Sequence, residues 1–458
     1  MSETEMPDNP PPTAPAAPGE RTYAVFHNAD FARYIIARFI AAFGLQMLVA
    51  AVDWELFHRT GSALALGYVG LSLMGPMILC TLPAGHVADR FSRKKIVLVS
   101  TLALGLVSLG LMLVSLLTTQ VPLFKICIYT LLVGFGVART FLWPASAAFI
   151  TALVPREQLP RAITFNSGAF QLSSVLGPAA GGIAIWLTHG TWMIYAFNAL
   201  TAVICFFLIA PIRHEHHLTT DEPMTIKNLI TGFRFVFENK IILGTLTLDM
   251  FAVLLGGSVS LLPIFAKEIL HSGLGGGHTT ADGLDFGLLR AAMPIGAILC
   301  VFFLAHRPPL QKAGRAMLWG VAVFGGATLF FGLANSQCLG QIFAAPDALW
   351  FWLAFGLMTL CGVVDNVSVV VRHTLVQILT PDEKRGRVSA ANSLFIGTSN
   401  ELGGFESGFT AHLFGPMMAN SIATGTILST VVGGFGTIGV VLGVAWLWPE
   451  IRRYGKLA

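Results

Sequence analysis

Eight ionisable side chains stand inside stretches that are otherwise almost wholly apolar: Arg38, Asp53, Arg139, Asp249, Asp365, Arg372, Glu401 and Glu406. A charge at the centre of a bilayer costs on the order of 3 kcal/mol, so such residues persist only where they pair, face water or serve an ion or proton path. The chemistry they offer is binding and proton exchange. A second polar constellation is the turn Gly85-His86-Val87-Ala88-Asp89-Arg90-Phe91-Ser92-Arg93-Lys94-Lys95, with the spacing G-x-x-x-D-R-x-x-R-K. It lies between two long apolar segments, its acid closing one and its cations opening the next. Four cations so close together belong at a water interface.

The elements that must position these residues are membrane helices. Only 11% of the 458 residues are charged, against about a quarter in a soluble domain, and the mean hydropathy is +0.71. Twelve segments are long and apolar enough to span as helices: 33–57, 64–88, 96–117, 123–151, 162–187, 191–211, 241–269, 284–305, 315–335, 348–378, 387–413 and 420–448. The expected fold is an all-α integral membrane protein. A net charge of +4 implies no nucleic-acid partner. The six cysteines have no C-x-x-C spacing, which argues against a disulfide framework or a zinc site. The first 20 residues are rich in Pro and Ala and lack both parts of a signal peptide, so they read as a disordered tail.

With the N-terminus inside, nineteen Lys and Arg residues fall on inner loops and tail, against Arg59, Lys125, Lys267 and Arg290 on the outer side. The positive-inside rule then puts both termini in the cytoplasm. The long polar interruption divides the chain into a tail (1–28), a six-helix bundle (29–211), a cytoplasmic loop (212–240), a second six-helix bundle (241–450) and a tail (451–458). In that loop Ile226, Leu229, Ile230, Phe233 and Phe237 share a helical face suited to the inner membrane surface. A shift of 226 residues lays Pro155, Glu157, Arg161, Asn166, Ser167, Ser173, Leu176, Gly177 and Gly182 on identical residues from Pro381 to Gly408. Polar identities among them argue for a parallel repeat of six helices, a known plan for transporters.

These features resemble the major facilitator superfamily. Gly85–Lys95 is similar to its motif between helices 2 and 3, with Val87 and Ser92 as departures. Gly177-Pro178-Ala179-Ala180-Gly181-Gly182 on the fifth segment resembles the superfamily's antiporter motif, although Ser173 replaces an upstream glycine. More narrowly, GHVADRFSRKK, GFRFVFENK and ILTPDEKRGRVSAANSL resemble the enterobactin-exporter and macrolide-efflux branch. The resemblance covers about 30–450. It implies two pseudo-symmetric bundles, a cavity lined by helices 1, 4, 7 and 10, and a cytoplasmic gate made by Gly85, Asp89, Arg90, Arg93 and Lys94. The antiporter-like residues are Gly177, Pro178, Gly181 and Gly182.

Six of the eight membrane charges fall on helices 1, 4, 7 and 10. The candidate proton and substrate path is therefore Asp53, Arg139, Asp249, Asp365 and Glu401. The repeat carries Arg139 onto Asp365, so the two are expected at similar depth, attracting one another directly or through substrate; a permanent ion pair locking the halves is the plainer alternative. Asp53, close to Glu55, serves equally as a proton site or as a solvated outer helix end. Glu401 reads as a mid-membrane acid on a supporting helix, and Arg372 as a side chain that snorkels. Trp54, Trp143 and the many phenylalanines suit either an aromatic substrate wall or lipid packing. His214-Glu215-His216-His217 lacks the histidine at 218 that a zincin pattern needs. His271 and His278 read as parts of a flexible connector. Neither a P-loop nor a catalytic cluster is present, so no enzyme activity, metal or cofactor is expected. The expectation is a secondary active exporter of an amphipathic small molecule, siderophore or drug-like, by alternating access and proton antiport. Its partners would be substrate, protons and lipid, and it would act as a monomer in a bacterial inner membrane. An importer or lipid flippase, or a receptor keeping the fold without transport, remains the alternative.

Overall fold

The computed structural model describes residues 24–212, 226–274, 282–307, 311–340, 342–343, 345–417 and 421–455. Twelve long helical segments follow one another: α1 (Ala29–Thr60), α2 (Ala63–Arg90), α3 (Arg93–Leu117), α4 (Val121–Leu153), α5 (Leu159–Thr188), α6 (Trp192–Ile209), α7 (Lys240–Leu255, continuing to Ile269), α8 (Asp282–Ala305), α9 (Ala313–Leu333), α10 (Asp347–Leu379), α11 (Asp382–Met417) and α12 (Ile422–Leu447). Eleven are long and apolar enough to cross a membrane on their own composition. The exception is α11, which is diluted by Asn392, Asn400, Glu401 and Glu406 and is surrounded by α2, α7 and α12.

Local chemistry sets the boundaries. Asn28 caps α1, its Oδ1 accepting from the amides of Asp30 (3.0 Å) and Phe31 (3.2 Å), while its Nδ2 donates to the Leu153 carbonyl at the end of α4 (2.7 Å). The turn Ala24–His27, within the expected tail, buries Val25. Gly61, at φ 57°, closes α1 in the left-handed conformation that favours glycine. Asn239 caps α7 in the same way as Asn28. α7 is discontinuous: it stops at Gly256-Gly257, where a Cβ on Gly257 would lie 2.9 Å from the Gly403 carbonyl oxygen of α11. It resumes as a 3-10 turn, a short α turn through Pro263 and a π turn, Phe265–Ile269.

The packing repeats itself. In the first half α1 packs on α5 and α6, α2 on α4, and α3 on α4 and α6. Adding six to each number gives equivalent packing in the second half, where α11 packs on α12 as well. The halves meet along α2–α11 and α5–α8, which are again equivalent pairs. The repeat read from 155–182 and 381–408 therefore falls on α5 and α11, the two helices that each reach across. The start of α1 and the end of α12 lie at one end of the bundle, the terminal face; the opposite end is the far face.

The amphipathic helix Ile226–Glu238 sits against α11, with Phe233 edge-on to Phe395 (5.4 Å) and Val236 buried beside Ile242 and Val388. Ile230 and Phe237 remain exposed, so only part of the apolar face read from the sequence is left for lipid.

Candidate functional site

Two of the ion pairs among the described residues cross between the halves. Asp53 is seven residues from the far end of α1, and Arg290 eight residues into α8 from the same face. At about 1.5 Å per residue both lie roughly 10–12 Å deep. Their side chains meet at 2.7 Å, with Asp53 only 7% exposed. Arg139, midway along α4, reaches Glu401, midway along α11, at 3.6 Å. The two pairs draw two helices from each half, and together they make up the charge array between the halves.

Packing around the array is closed towards the far face. Trp54 of α1 stacks on Phe286 of α8 (5.6 Å), and the Lys267 ammonium of α7 lies over Phe57 of α1 (5.5 Å). A Cβ on Gly182 would stand 2.6 Å from the Gly283 carbonyl oxygen, so α5 and α8 touch backbone to backbone. Its repeat equivalent Gly408 does the same for α11 against α2, 2.6 Å from the Ala63 carbonyl oxygen and 2.7 Å from the Gly67 nitrogen. Among the described residues, glycine contacts between the halves run from mid-bundle, where Gly397 meets the Met77 side chain, to the far face.

The model of the superfamily described as Major Facilitator Superfamily matches residues 34–404. The chain belongs to this superfamily. It is therefore a multi-pass membrane transporter by family, with the twelve-helix fold already described. It is 27% identical over 426 residues to the enterobactin exporter EntS of Citrobacter koseri, covering 93% of each chain. Against the EntS of Shigella boydii serotype 18 the identity is 25% over 424 residues, again 93% of each. Its structure is similar to a D-xylose-proton symporter (TM-score 0.67, 15% identity, 93% of this chain and 99% of that one). It is also similar to a mutant of the nucleoside transporter NupG (TM-score 0.68, 12% identity, 92% and 100%). At such identities these two likenesses show the major facilitator fold alone.

Within the superfamily fold, Arg139 reaches Glu401 and not Asp365. Asp365 makes no ion pair among the described residues and lies near Cys300 of α8 and Cys361 of its own helix, inside the second half. Asp249 of α7 is paired with Arg372 of α10, both buried at 5% and 2% exposure. Arg372 therefore does not snorkel: it closes an ion pair in the interior of the second bundle. The solvated outer helix end is also corrected. Glu55 is 5% exposed and is the acceptor for Ser115 Oγ (2.7 Å), Thr191 Oγ1 (2.7 Å) and Tyr195 OH (2.8 Å), besides pairing with Arg59 (2.8 Å). Sequence reasoning passed over this node; the signal was an acid one turn before Arg59, an i,i+4 pair.

The superfamily's loop motif is placed by helix ends. Lys94 Nζ donates to the carbonyls of Ala210 (2.6 Å) and Ile212 (2.8 Å), at the end of α6. A cation there satisfies carbonyls that the helix leaves unpaired. Arg93 reaches the Ala148 carbonyl of α4 (3.4 Å). Gly85 is buried and Arg90 exposed, and the side chain of Asp89 lies outside the described residues. In the antiporter-like motif Gly177 packs on α1, where a Cβ would be 3.1 Å from the Phe43 carbonyl oxygen, and the Pro178 carbonyl meets Gly287 of α8. No group of three His, Cys, Asp or Glu is placed to hold a metal ion among the described residues. His214 to His217, and His278, lie outside them.

Proposed function

We propose that this chain is a secondary active exporter of an amphipathic small molecule, siderophore-like or drug-like, working by alternating access with proton antiport. The observation that carries this reading is the charge array of Asp53, Arg290, Glu401 and Arg139, whose two ion pairs join the halves from mid-bundle towards the far face. Carboxylates whose charge holds one conformation together make that conformation responsive to protonation. The cation asymmetry puts both termini in the cytoplasm, so the closed far face is the outer one, and the resemblance to enterobactin exporters favours a bacterial inner membrane. The candidate proton route comprises Asp53 and Glu401 in the array, with Asp249 and Asp365 in the second bundle. Gly85, Asp89, Arg90, Arg93 and Lys94 form the inner gate when the cavity faces out. The enterobactin exporters among its relatives favour a siderophore as cargo.

The test is proton flux in proteoliposomes holding the purified monomer, with a pH-sensitive dye inside and enterobactin or ethidium as cargo. Cargo-dependent flux above protein-free vesicles is expected, and it should be lost in Asp53→Asn and Glu401→Gln. Asp365→Asn with an unaltered pH profile removes Asp365 from the route. Cargo movement into cells on expression, in place of extrusion, would favour the importer.

A further inference from the structure

The first bundle holds a cavity of about 70 Å³ beside the charge array, lined by α1, α3, α4, α5 and α6. Roughly five waters, or one small planar acid group, would fill such a space. It is too small for a whole drug-sized ligand, which needs several hundred Å³, so it holds at most one end of such a molecule. Its lining includes both Arg38 and Arg139, and no carboxylate. Arg38 makes no ion pair among the described residues, and its buried Nε has no hydrogen-bond partner. Arg139 is held at the edge by Glu401 at 3.6 Å, a loose pair. Two guanidinium groups facing one cleft in a membrane interior require counter-charge or water.

The rest of the lining is suited to an aryl group. Trp143 is 61% exposed although it lies mid-chain in α4, and it stands edge-on to Phe170 (6.5 Å). The Arg139 guanidinium is 5.9 Å from the Trp143 ring. Asn198 and Thr201 supply further hydrogen-bonding groups.

We propose that this cavity is an anion subsite, in which Arg38 and Arg139 hold the acidic group of an aryl acid while its ring rests against the edge-on pair Trp143 and Phe170. This rests on the export reading and names the class of its cargo: a molecule bearing at least one aryl group with an ionised carboxylate or phenolate. A guanidinium binds a carboxylate through two parallel hydrogen bonds, which a neutral amide cannot reproduce. Because Arg139 also carries the bond to Glu401, the bound anion competes with that carboxylate and loosens the link between the halves.

The experiment uses the full chain in nanodiscs, with salicylate as probe and salicylamide as its uncharged counterpart, followed by calorimetry and by Trp fluorescence. Salicylate should bind at least tenfold more tightly than salicylamide. Arg38→Gln and Arg139→Gln should each lower the salicylate affinity tenfold or more, Arg38→Lys should recover part of it, and Glu401→Gln should raise it. Equal affinity for acid and amide, no binding of salicylate, or an Arg38→Gln protein that is monodisperse and binds as before would overturn the subsite. An unchanged affinity in Glu401→Gln would overturn the competition. Charge-selective binding without cargo-coupled proton flux would leave the subsite standing and remove proton-coupled export; flux with charge-blind binding would do the reverse.

Discussion

Gly181 and Gly182 are neighbours on α5, yet a methyl group added to each should have opposite consequences. On Gly182 the new Cβ would stand 2.6 Å from the Gly283 carbonyl oxygen and 2.7 Å from the Gly287 Cα, both backbone atoms of α8 in the other half. Carbon atoms rest at about 3.5–4.0 Å, so α5 and α8 must separate by about 1 Å before the closed far face can form. Overpacking of this kind costs about 1–3 kcal/mol, and it falls on the closed state alone. The ratio of open to closed far faces should then rise by roughly 5- to 150-fold. On Gly181 the nearest atoms belong to Met47 of α1 at 3.7 Å, an ordinary contact within one half. Spin labels at Leu117→Cys and Ile342→Cys, exposed positions at the far ends of the two halves, report the separation by double electron–electron resonance. A long-distance population should appear in Gly182→Ala and be absent from Gly181→Ala. Identical distance distributions in the two variants would refute the backbone-contact account of closure.

Three other perturbations follow from buried charge. Arg290→Met leaves Asp53 unpaired at 7% exposure, where losing a partner costs about 3–5 kcal/mol; the same labels should report an opened far face, and the swap Asp53→Arg with Arg290→Asp should restore part of the closed population. Asp249→Asn strands the Arg372 guanidinium inside the second bundle, so its thermal unfolding midpoint should fall well below wild type, with Asp249→Asn/Arg372→Met recovering most of the loss. Tyr195→Phe deletes one of three hydroxyl donors to Glu55 and should cost about 1.5–3 kcal/mol, the scale of a hydrogen bond to a charged group, read as a lowered unfolding midpoint.

The helices and their duplication were legible because a bilayer imposes segment length and apolarity, and because polar identities such as Asn166 with Asn392 survive where composition alone would not produce them. Which charge meets which was not legible. The repeat relates Arg139 to Asp365, but an equivalence of position is not proximity: a residue and its repeat mate lie on equivalent helices, whereas contact across the bundle joins α4 to α11 and α1 to α8. The sequence likewise presents Asp53 and Glu55 as adjacent acids. Only the approach of Ser115 on α3 and of Thr191 and Tyr195 at the start of α6 separates them, giving Glu55 its own ring of donors while Asp53 meets the other half. Lys94 illustrates the same limit: its charge marks the interface, but its two carbonyl partners are 116 and 118 residues away.

The polarity of α11 has a consequence for how the protein is made. Eleven helices can partition into lipid on their own composition, and the one that cannot carries Glu401. An emerging segment with Glu401, Glu406 and the amides Asn392 and Asn400 along its length is a poor substrate for insertion unless neighbouring spans shelter it. Its shelters are α2 and α7, both synthesised earlier, and α12, synthesised immediately afterwards. The cation that answers Glu401 sits on α4, already in the membrane when α11 leaves the ribosome. The first bundle is thus a template for the second, and a lesion at Arg139 would be felt in the yield of correctly inserted protein before any cargo is encountered.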